Sequence, residues 1–246
     1  MDPTLGIIES GDLLIDGGQI MRMGAGGLLK EIPARPQPRA EPAPSSQAPK
    51  IAALVMAAGR STRMGGANKL LTDVEGVAMV ARAVDAALAS RARPIIVVTG
   101  HDAARVGAAL AGRPVTLVEN PAHASGMASS LKAGIAALPA DIDGALVCLA
   151  DMPRVGPQTL DRLIAAFNPL EGRAICVPAF EGKRGNPVLW ARRFFPAMAA
   201  LAGDVGARHL IGEHAELVAE VPMGDDSVLV DIDTPDALAL YRQRPA

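Results

Sequence analysis

Cationic side chains and small residues crowd one short stretch of this chain of 246 residues. It reads Ala57-Ala58-Gly59-Arg60-Ser61-Thr62-Arg63-Met64-Gly65-Gly66-Ala67-Asn68-Lys69. Small residues at 57–59 let a backbone approach a ligand closely. Turn N–H groups can then point at phosphate oxygens. Arg60, Arg63 and Lys69 add positive charge, arginine as a bidentate phosphate partner and lysine as a mobile point charge. The chemistry such a loop suits is the holding of a polyphosphate. It lacks the Gly-Lys-Ser/Thr ending of a Walker loop, and Gly59 and Gly65 do not fit G-x-G-x-x-G. The same composition also suits an ordinary glycine-containing turn with solvated cations.

Carboxylates provide a second half to that chemistry. Asp151 ends the apolar run GALVCLAD and is followed by Pro153. A carboxylate at the end of a buried strand faces the ligand crevice of an α/β sheet and can bind Mg²⁺, or it can cap a helix near 156. Asp231 and Asp233 are two residues apart. In an extended backbone both project to one face while Ile232 points the other way. Two carboxylates on one face are costly unless a cation or solvent intervenes. Either one could instead cap a helix starting at Thr234-Pro235. Ser125 and Gly126 precede a helical pattern whose free N–H groups suit polar ligand atoms, and Ser125 could cap that helix. His101, His123, His209 and His214 are scattered without metal-ligand spacing. No G-x-S-x-G or Cys–His arrangement supports a covalent nucleophile.

Elements that could position these groups follow from the apolar pattern. IAALVMA (51–57), PIIVVTG (94–100), VTLVEN (115–120), GALVCLAD (144–151) and AICVPA (174–179) read as buried strands. Between them, Val77, Val80, Ala81, Val84 and Leu88 have helical spacing, as do Met127, Leu131, Ile135 and Leu138, and then Leu160, Leu163, Ile164 and Phe167. Asp102 reads as the N-cap of a helix of about ten residues. Strands apolar on both faces, alternating with helices, predict a mostly parallel sheet covered by helices on each side. Ligands of such sheets bind outside the carboxyl ends of strands, which selects the loops at 57–69, 99–102, 119–126 and 150–155.

Residues 33–49 form a proline-rich linker, and residues 1–32 a short glycine-bearing segment ahead of it. The main domain is expected over 50–244. Aromatics are 2% of the chain and the net charge is −2, without a basic block. Single-stranded nucleic-acid binding, which stacks bases on rings, is therefore not expected. Apolar runs fall far short of the ~20 residues of a membrane span, and no signal peptide is evident, so a cytoplasmic location is expected. Cys148 and Cys176 each sit in an apolar run and read as core thiols.

The segment AAGRSTRMGGANKLL resembles the signature loop of the nucleotidyltransferase superfamily, and its Ala57-Ala58-Gly59 form is similar to the molybdenum cofactor cytidylyltransferases. Later stretches resemble the same family in the same order: Val98-Thr99-Gly100, Asn120-Pro121, Ser125-Gly126-Met127-Ala128-Ser129-Ser130, Leu149-Ala150-Asp151-Met152-Pro153, Gly185-Asn186-Pro187-Val188, Gly203-Asp204-Val205-Gly206-Ala207-Arg208 and Asp231-Ile232-Asp233-Thr234-Pro235-Asp236. The resemblance covers roughly 51–242. It implies a three-layer, Rossmann-like, GT-A-like fold with helices on both faces of the sheet. It implies nucleotide contacts at Ala57, Ala58, Gly59, Arg60, Ser61, Gly65, Thr99, Asn120, Ser125, Gly126 and Ser130, and an acceptor site at Gly185, Asn186 and Pro187. Lys69, Arg63 and Asp151 take the catalytic roles. Mg²⁺ is placed on Asp151 and Asp233 with Asp231 behind them, and Asp231 and Asp233 could exchange these places.

The implied activity is transfer of CMP from CTP to the terminal phosphate of molybdopterin or the molybdenum cofactor, releasing pyrophosphate. A client molybdoenzyme or its chaperone is the implied protein partner. An acceptor phosphate is already ionised near neutral pH and needs no general base, which agrees with the missing nucleophile. The difficulty is bringing two polyanions together in line, a task for Mg²⁺, Lys69 and Arg63. Two alternatives stand beside this reading. One is an enzyme using GTP or another NTP on a different phosphorylated acceptor. The other is a non-catalytic molybdenum cofactor chaperone, which would need none of Lys69, Asp151 and Asp233.

Overall fold

A computed structural model describes residues 12–16, 19–24, 48–61, 68–203 and 206–243. The chain divides into two units, Met1–Gln47 and Ala48–Ala246. In the first, β1 (Asp12–Asp16) and β2 (Gln19–Gly24) pair as an antiparallel hairpin.

The second unit is built on one eight-stranded sheet. Its centre is β3 (Ile51–Ala57), whose residues are buried except for the half-buried Met56. A strand apolar along its whole length must be covered on both faces. After the two short strands β4 (Asp73–Val74) and β5 (Val77–Ala78), the chain forms α1 (Met79–Ala89), which buries Val80, Val84 and Ala87 along one stripe. Then come β6 (Ile95–Thr99), α2 (Ala103–Ala109), β7 (Thr116–Glu119), α3 (Met127–Ala136), β8 (Gly144–Leu149) and α4 (Pro157–Ala166). Pro157 opens α4 at a position where its missing N–H costs nothing. The strands β9 (Ile175–Phe180), β10 (Lys183–Arg184) and β11 (Val188–Ala191) follow, then α5 (Phe195–Ala199), α6 (Arg208–Glu213), β12 (Val218–Pro222) and α7 (Pro235–Gln243).

β8, β3, β6 and β7 lie side by side and parallel. β11 runs antiparallel to both its neighbours, β8 and β9, and β12 closes the far edge parallel to β9. The sheet is thus mixed but mostly parallel, with α1 packed on α2 and α4, and α3 packed on α5. Side chains of β3 alternate accordingly. Ala53 and Val55 join the main core with Val80, Val84 and Leu160, whereas Leu54 joins Ile96 and Ala145 against Ile135 and Leu138. Gly134 lets α3 lie close to the sheet, since a Cβ there would meet Val98 at 3.0 Å.

Three local expectations differ from the structure. α2 has seven residues, and Asp102 sits at its cap position in the left-handed region, with no side-chain cap bond. Its carboxylate pairs with Arg105 instead, at 3.2 Å. Gly126, not Ser125, occupies the cap position of α3, with φ 106° and ψ 176°. The Ser125 hydroxyl donates to the Ala122 carbonyl at 2.7 Å, so its bond closes the preceding turn. Gly156, not Asp151, precedes α4. That leaves the Asp151 carboxylate available to the cleft.

Candidate active site

Register fixes which loops share one end of the sheet. Ala57 lies beside Thr99, and Met56 beside Leu149. The segments after β3, β6, β7 and β8 therefore emerge together, as expected of an α/β sheet. Those after β3, β7 and β8, with the 231–233 stretch, line a cleft of about 510 Å³, whereas the expected 99–102 loop does not line it. Ala58, Gly59, Arg60, Ser61 and Lys69 line it from the first loop, Gly126 and Ser130 from the start of α3, and Asp151, Asp231 and Asp233 from the acidic side.

The two ends of the first loop are pinned to each other. Ser61 has φ 52°, a left-handed conformation that non-glycine residues hold only under local constraint. Its hydroxyl donates to Asn68 Oδ1 at 3.4 Å and accepts the Lys69 N–H at 3.0 Å. Asn68 Oδ1 also accepts the Leu70 N–H at 3.1 Å and caps the short helical turn Lys69–Leu71. Leu70, 3% exposed, anchors that turn in the core. Lys69 is thereby delivered, 11% exposed, to the acidic side. Arg63 and Gly65 lie outside the described residues.

The Lys69 ammonium donates to Asp151 Oδ2 at 2.6 Å and to Asp233 Oδ1. Burial by itself lowers a lysine pKa. Here the charges and hydrogen bonds of Asp151 and Asp233 outweigh that penalty and hold the ammonium above its ordinary value. Asp231 joins them: oxygens of Asp151, Asp231 and Asp233 all lie within 4.8 Å of one another. Asp231 thus stands with the other two instead of behind them. Ile232 explains the placement. It is fully buried with Val74, Met79, Leu238 and Tyr241, and its N–H donates to the Asp151 carbonyl at 2.9 Å. Burying Ile232 turns its two acidic neighbours to the opposite side, and Thr234 Oγ1 starts α7 by accepting the Ala237 N–H at 3.1 Å.

Three carboxylates and one ammonium carry a formal charge of −2, which a divalent cation matches. The all-oxygen donor set suits a hard cation such as Mg²⁺ or Mn²⁺. Asp151 Oδ1 is buried and has no hydrogen-bond partner among the described residues, a state a cation would relieve. Arg60 lines the same cleft with no ion-pair partner among the described residues.

Other expected residues fall at different distances from the cleft. Thr99 and Ala57 are buried beneath it. Asn120 is a brace: its side chain donates to Ser129 Oγ at 2.8 Å and Ser130 Oγ at 2.9 Å, and accepts the Ala122 N–H at 3.0 Å. It holds the 120–126 turn against α3. Ser125 is exposed and does not line the cleft. Asn186 lines a neighbouring pocket of about 240 Å³, which shares Met56, Met127 and Leu149 with the cleft. Pro187 follows it through a cis peptide bond, and Gly185 fits where a Cβ would meet the Val228 carbonyl at 2.1 Å. Sequence reasoning quoted Met127 and Leu149 within its motifs but did not single out Met56 or His123 as wall residues or Asn68 as the loop's clasp. Met56 and Leu149 were legible as strand-end positions. His123 lies within the 119–126 loop that the strand pattern selected.

Known proteins resemble this chain over most of its length. A model of the MobA-like NTP transferase domain matches residues 53–218. Nicotine blue oxidoreductase of Paenarthrobacter nicotinovorans is 29% identical over 77% of this chain and 95% of its own length. Purine catabolism protein PucB of Bacillus subtilis is 30% identical over 80% of this chain and 98% of its own. Rv0371c of Mycobacterium tuberculosis has a similar solved structure, at TM-score 0.70 and 28% identity over 80% of this chain and 100% of that one. It has also been solved in complex with manganese, with TM-score 0.67, 27% identity and the same coverage. The matched segment carries the loop strand β3, the acidic strand end at Asp151 and the Asn186 turn, and the chain belongs to the MobA-like NTP transferase family.

Proposed function

We propose that this NTP transferase moves CMP from CTP to the terminal phosphate of molybdopterin or the molybdenum cofactor, with Mg²⁺ held by Asp151 and Asp233 and with Asp231 within reach of the same ion. The observation that carries this reading is the pairing of Lys69 with Asp151 and Asp233, with Asp231 beside them, in a glycine-lined cleft. The manganese complex of Rv0371c supports a divalent ion in this kind of fold.

When bound, the cation lowers the repulsion between triphosphate and acceptor and favours charge build-up at the reacting phosphorus. The chain's own groups do the rest. N–H groups around Gly59 and the guanidinium of Arg60 hold the phosphates, with Arg63 as a further cation of the same loop. Lys69, charged throughout the neutral range, stabilises the negative charge that grows at the α-phosphate. Asn186 orients the acceptor. An ionised acceptor oxygen attacks the α-phosphorus, the bond to the bridging oxygen of the β-phosphate breaks, and pyrophosphate leaves with that electron pair. No proton has to move, so no general base is required.

The experiment is incubation of the protein with molybdopterin, MgCl₂ and each of the four NTPs, reading pyrophosphate and the nucleotide attached to the product. Release with CTP supports the reading, and release with GTP alone reassigns the nucleotide. Binding of molybdopterin without pyrophosphate assigns a carrier role. Because one relative bears an oxidoreductase name, NAD(P)H oxidation is followed in parallel, and its appearance in place of pyrophosphate would overturn the proposal. The N-terminal unit and linker are proposed to be dispensable for transfer, so a chain lacking residues 1–45 keeps its turnover.

A further inference from the structure

The pocket of about 240 Å³ beside the cleft differs from it in chemistry. Trp190, Leu131, Ile211 and Val188 make it apolar, and its polar groups are the amide of Asn186 and the guanidinium of Arg208. It is smaller than the ~300 Å³ at which sites for whole drug-sized ligands begin, so it takes part of a ligand whose remainder lies elsewhere. It shares the walls Met56, Met127 and Leu149 with the cleft that holds the carboxylates. Arg208 is exposed and has no hydrogen-bond or ion-pair partner among the described residues. A cation at the edge of an apolar pocket selects a ligand that carries an apolar body and a negative group together.

We propose that this pocket seats a flat, fused heterocyclic ring of the acceptor and that Arg208 pairs with an anionic substituent of the same molecule, which makes Arg208 a specificity-determining residue. The inference rests on the acceptor reading above and deepens it. Apolar walls favour an unsaturated ring over a sugar or polyol, whose hydroxyls would lose water there without replacement partners. The position of Arg208 also predicts that the acceptor bears charge beyond what the carboxylate side of the cleft handles.

Trp190, the single tryptophan, provides a readout independent of turnover. Pterin-6-carboxylate, which absorbs where tryptophan emits, is titrated into the full chain without nucleotide or metal, and unsubstituted pterin serves as the neutral control. The expected result is saturable quenching by both probes. Arg208→Ala weakens the carboxylate probe by about 10-fold or more, as for loss of a charge-assisted contact, and leaves the neutral probe unchanged. Arg208→Lys restores part of the loss, and Ile211→Phe, which fills the pocket, weakens both probes. In steady-state transfer, Arg208→Ala raises KM for the acceptor and not for the NTP. Equal affinity of the carboxylate probe for wild type and Arg208→Ala would overturn the role of Arg208. Absence of quenching by either probe while molybdopterin is still nucleotidylated would overturn the pocket and leave the reaction standing. Quenching as expected without any transfer to molybdopterin would uphold the pocket and remove the reaction.

Discussion

Replacing Lys69 with methionine keeps most of the stem's bulk and removes one charge, so the effect isolates the ammonium. Oxygens of Asp151, Asp231 and Asp233 lie no more than 4.8 Å apart. Two unit charges at that separation repel by about 3.5 kcal/mol at an effective dielectric constant of ~20. Without the ammonium, that repulsion stands uncompensated in the native state. The sign follows from linkage. The repulsion exists only where the carboxylates are ionised, so the loss of stability grows as pH rises out of the acid range and is level at neutral pH and above. In the wild type, Lys69 is itself held above its usual value, so its contribution is constant over this window and is lost only above about pH 10.5. Urea unfolding of Lys69→Met in chelator should therefore show a loss of about 3 kcal/mol at pH 8 and little at pH 4.5. Millimolar MgCl₂ or MnCl₂ should recover much of the loss at pH 8. Turnover should drop by ~10²-fold or more, with the nucleotide KM moving less. A loss that is equal at both pH values and indifferent to divalent cation would refute the electrostatic account, and near-normal turnover would refute the catalytic one.

Asp151→Asn should abolish the response of activity to added divalent cation, and an unchanged metal titration curve would count against the carboxylate site. Gly100→Ala should lower Tm and raise KM for the NTP, because the added Cβ would meet His123 Cβ at 2.5 Å and Ala58 Cβ at 2.9 Å, both at the cleft wall. Overpacking of this kind costs about 1–3 kcal/mol, read by thermal unfolding beside the kinetics. Cys148 and Cys176 are both pushed up to about 12 by burial, so neither should react with a disulfide reagent at pH 8 until the protein unfolds. Since the unfolded thiols ionise first, stability should decline as pH rises from about 9 toward 12, followed by thiolate absorbance in native and denatured chains.

The strands and helices were legible where a single physical signal dominated. IAALVMA, IIVVT and GALVCL are apolar on both faces because each lies between two other strands and under helices on both sides, and no loop has that composition. The stripes of α1 and α4 were legible for the same reason. Strand direction was not. Val188–Ala191 has the same composition whether it runs parallel or antiparallel, and only its pairing with both β8 and β9 settles the matter. The cap was misread at Ser125, because a short polar side chain can bond either to a helix start or to its own turn, and the turn won; Asp102 does hold the cap position of α2, without a side-chain cap bond. At the site, alternation around Ile232 was enough to place Asp231 and Asp233 on one face, because burial of a single isoleucine decides the orientation of both. The motif placed Asn120 on the ligand, whereas its three side-chain hydrogen bonds make it a support for residues that line the cleft.

The reversed strand β11 has a consequence for how the two substrates meet. A parallel strand beside β8 would begin at the end of the sheet remote from Asp151. Because Val188 instead faces Val147, near the finish of β8, the turn carrying Asn186 arrives at the Asp151 end of the sheet. On the acceptor assignment proposed above, one reversal of chain direction brings a separate stretch, the 185–187 turn, to that rim. The NTP half of the rim is built by earlier loops. Under that assignment, substitutions in the later stretch would alter acceptor binding and leave the triphosphate cradle as it is.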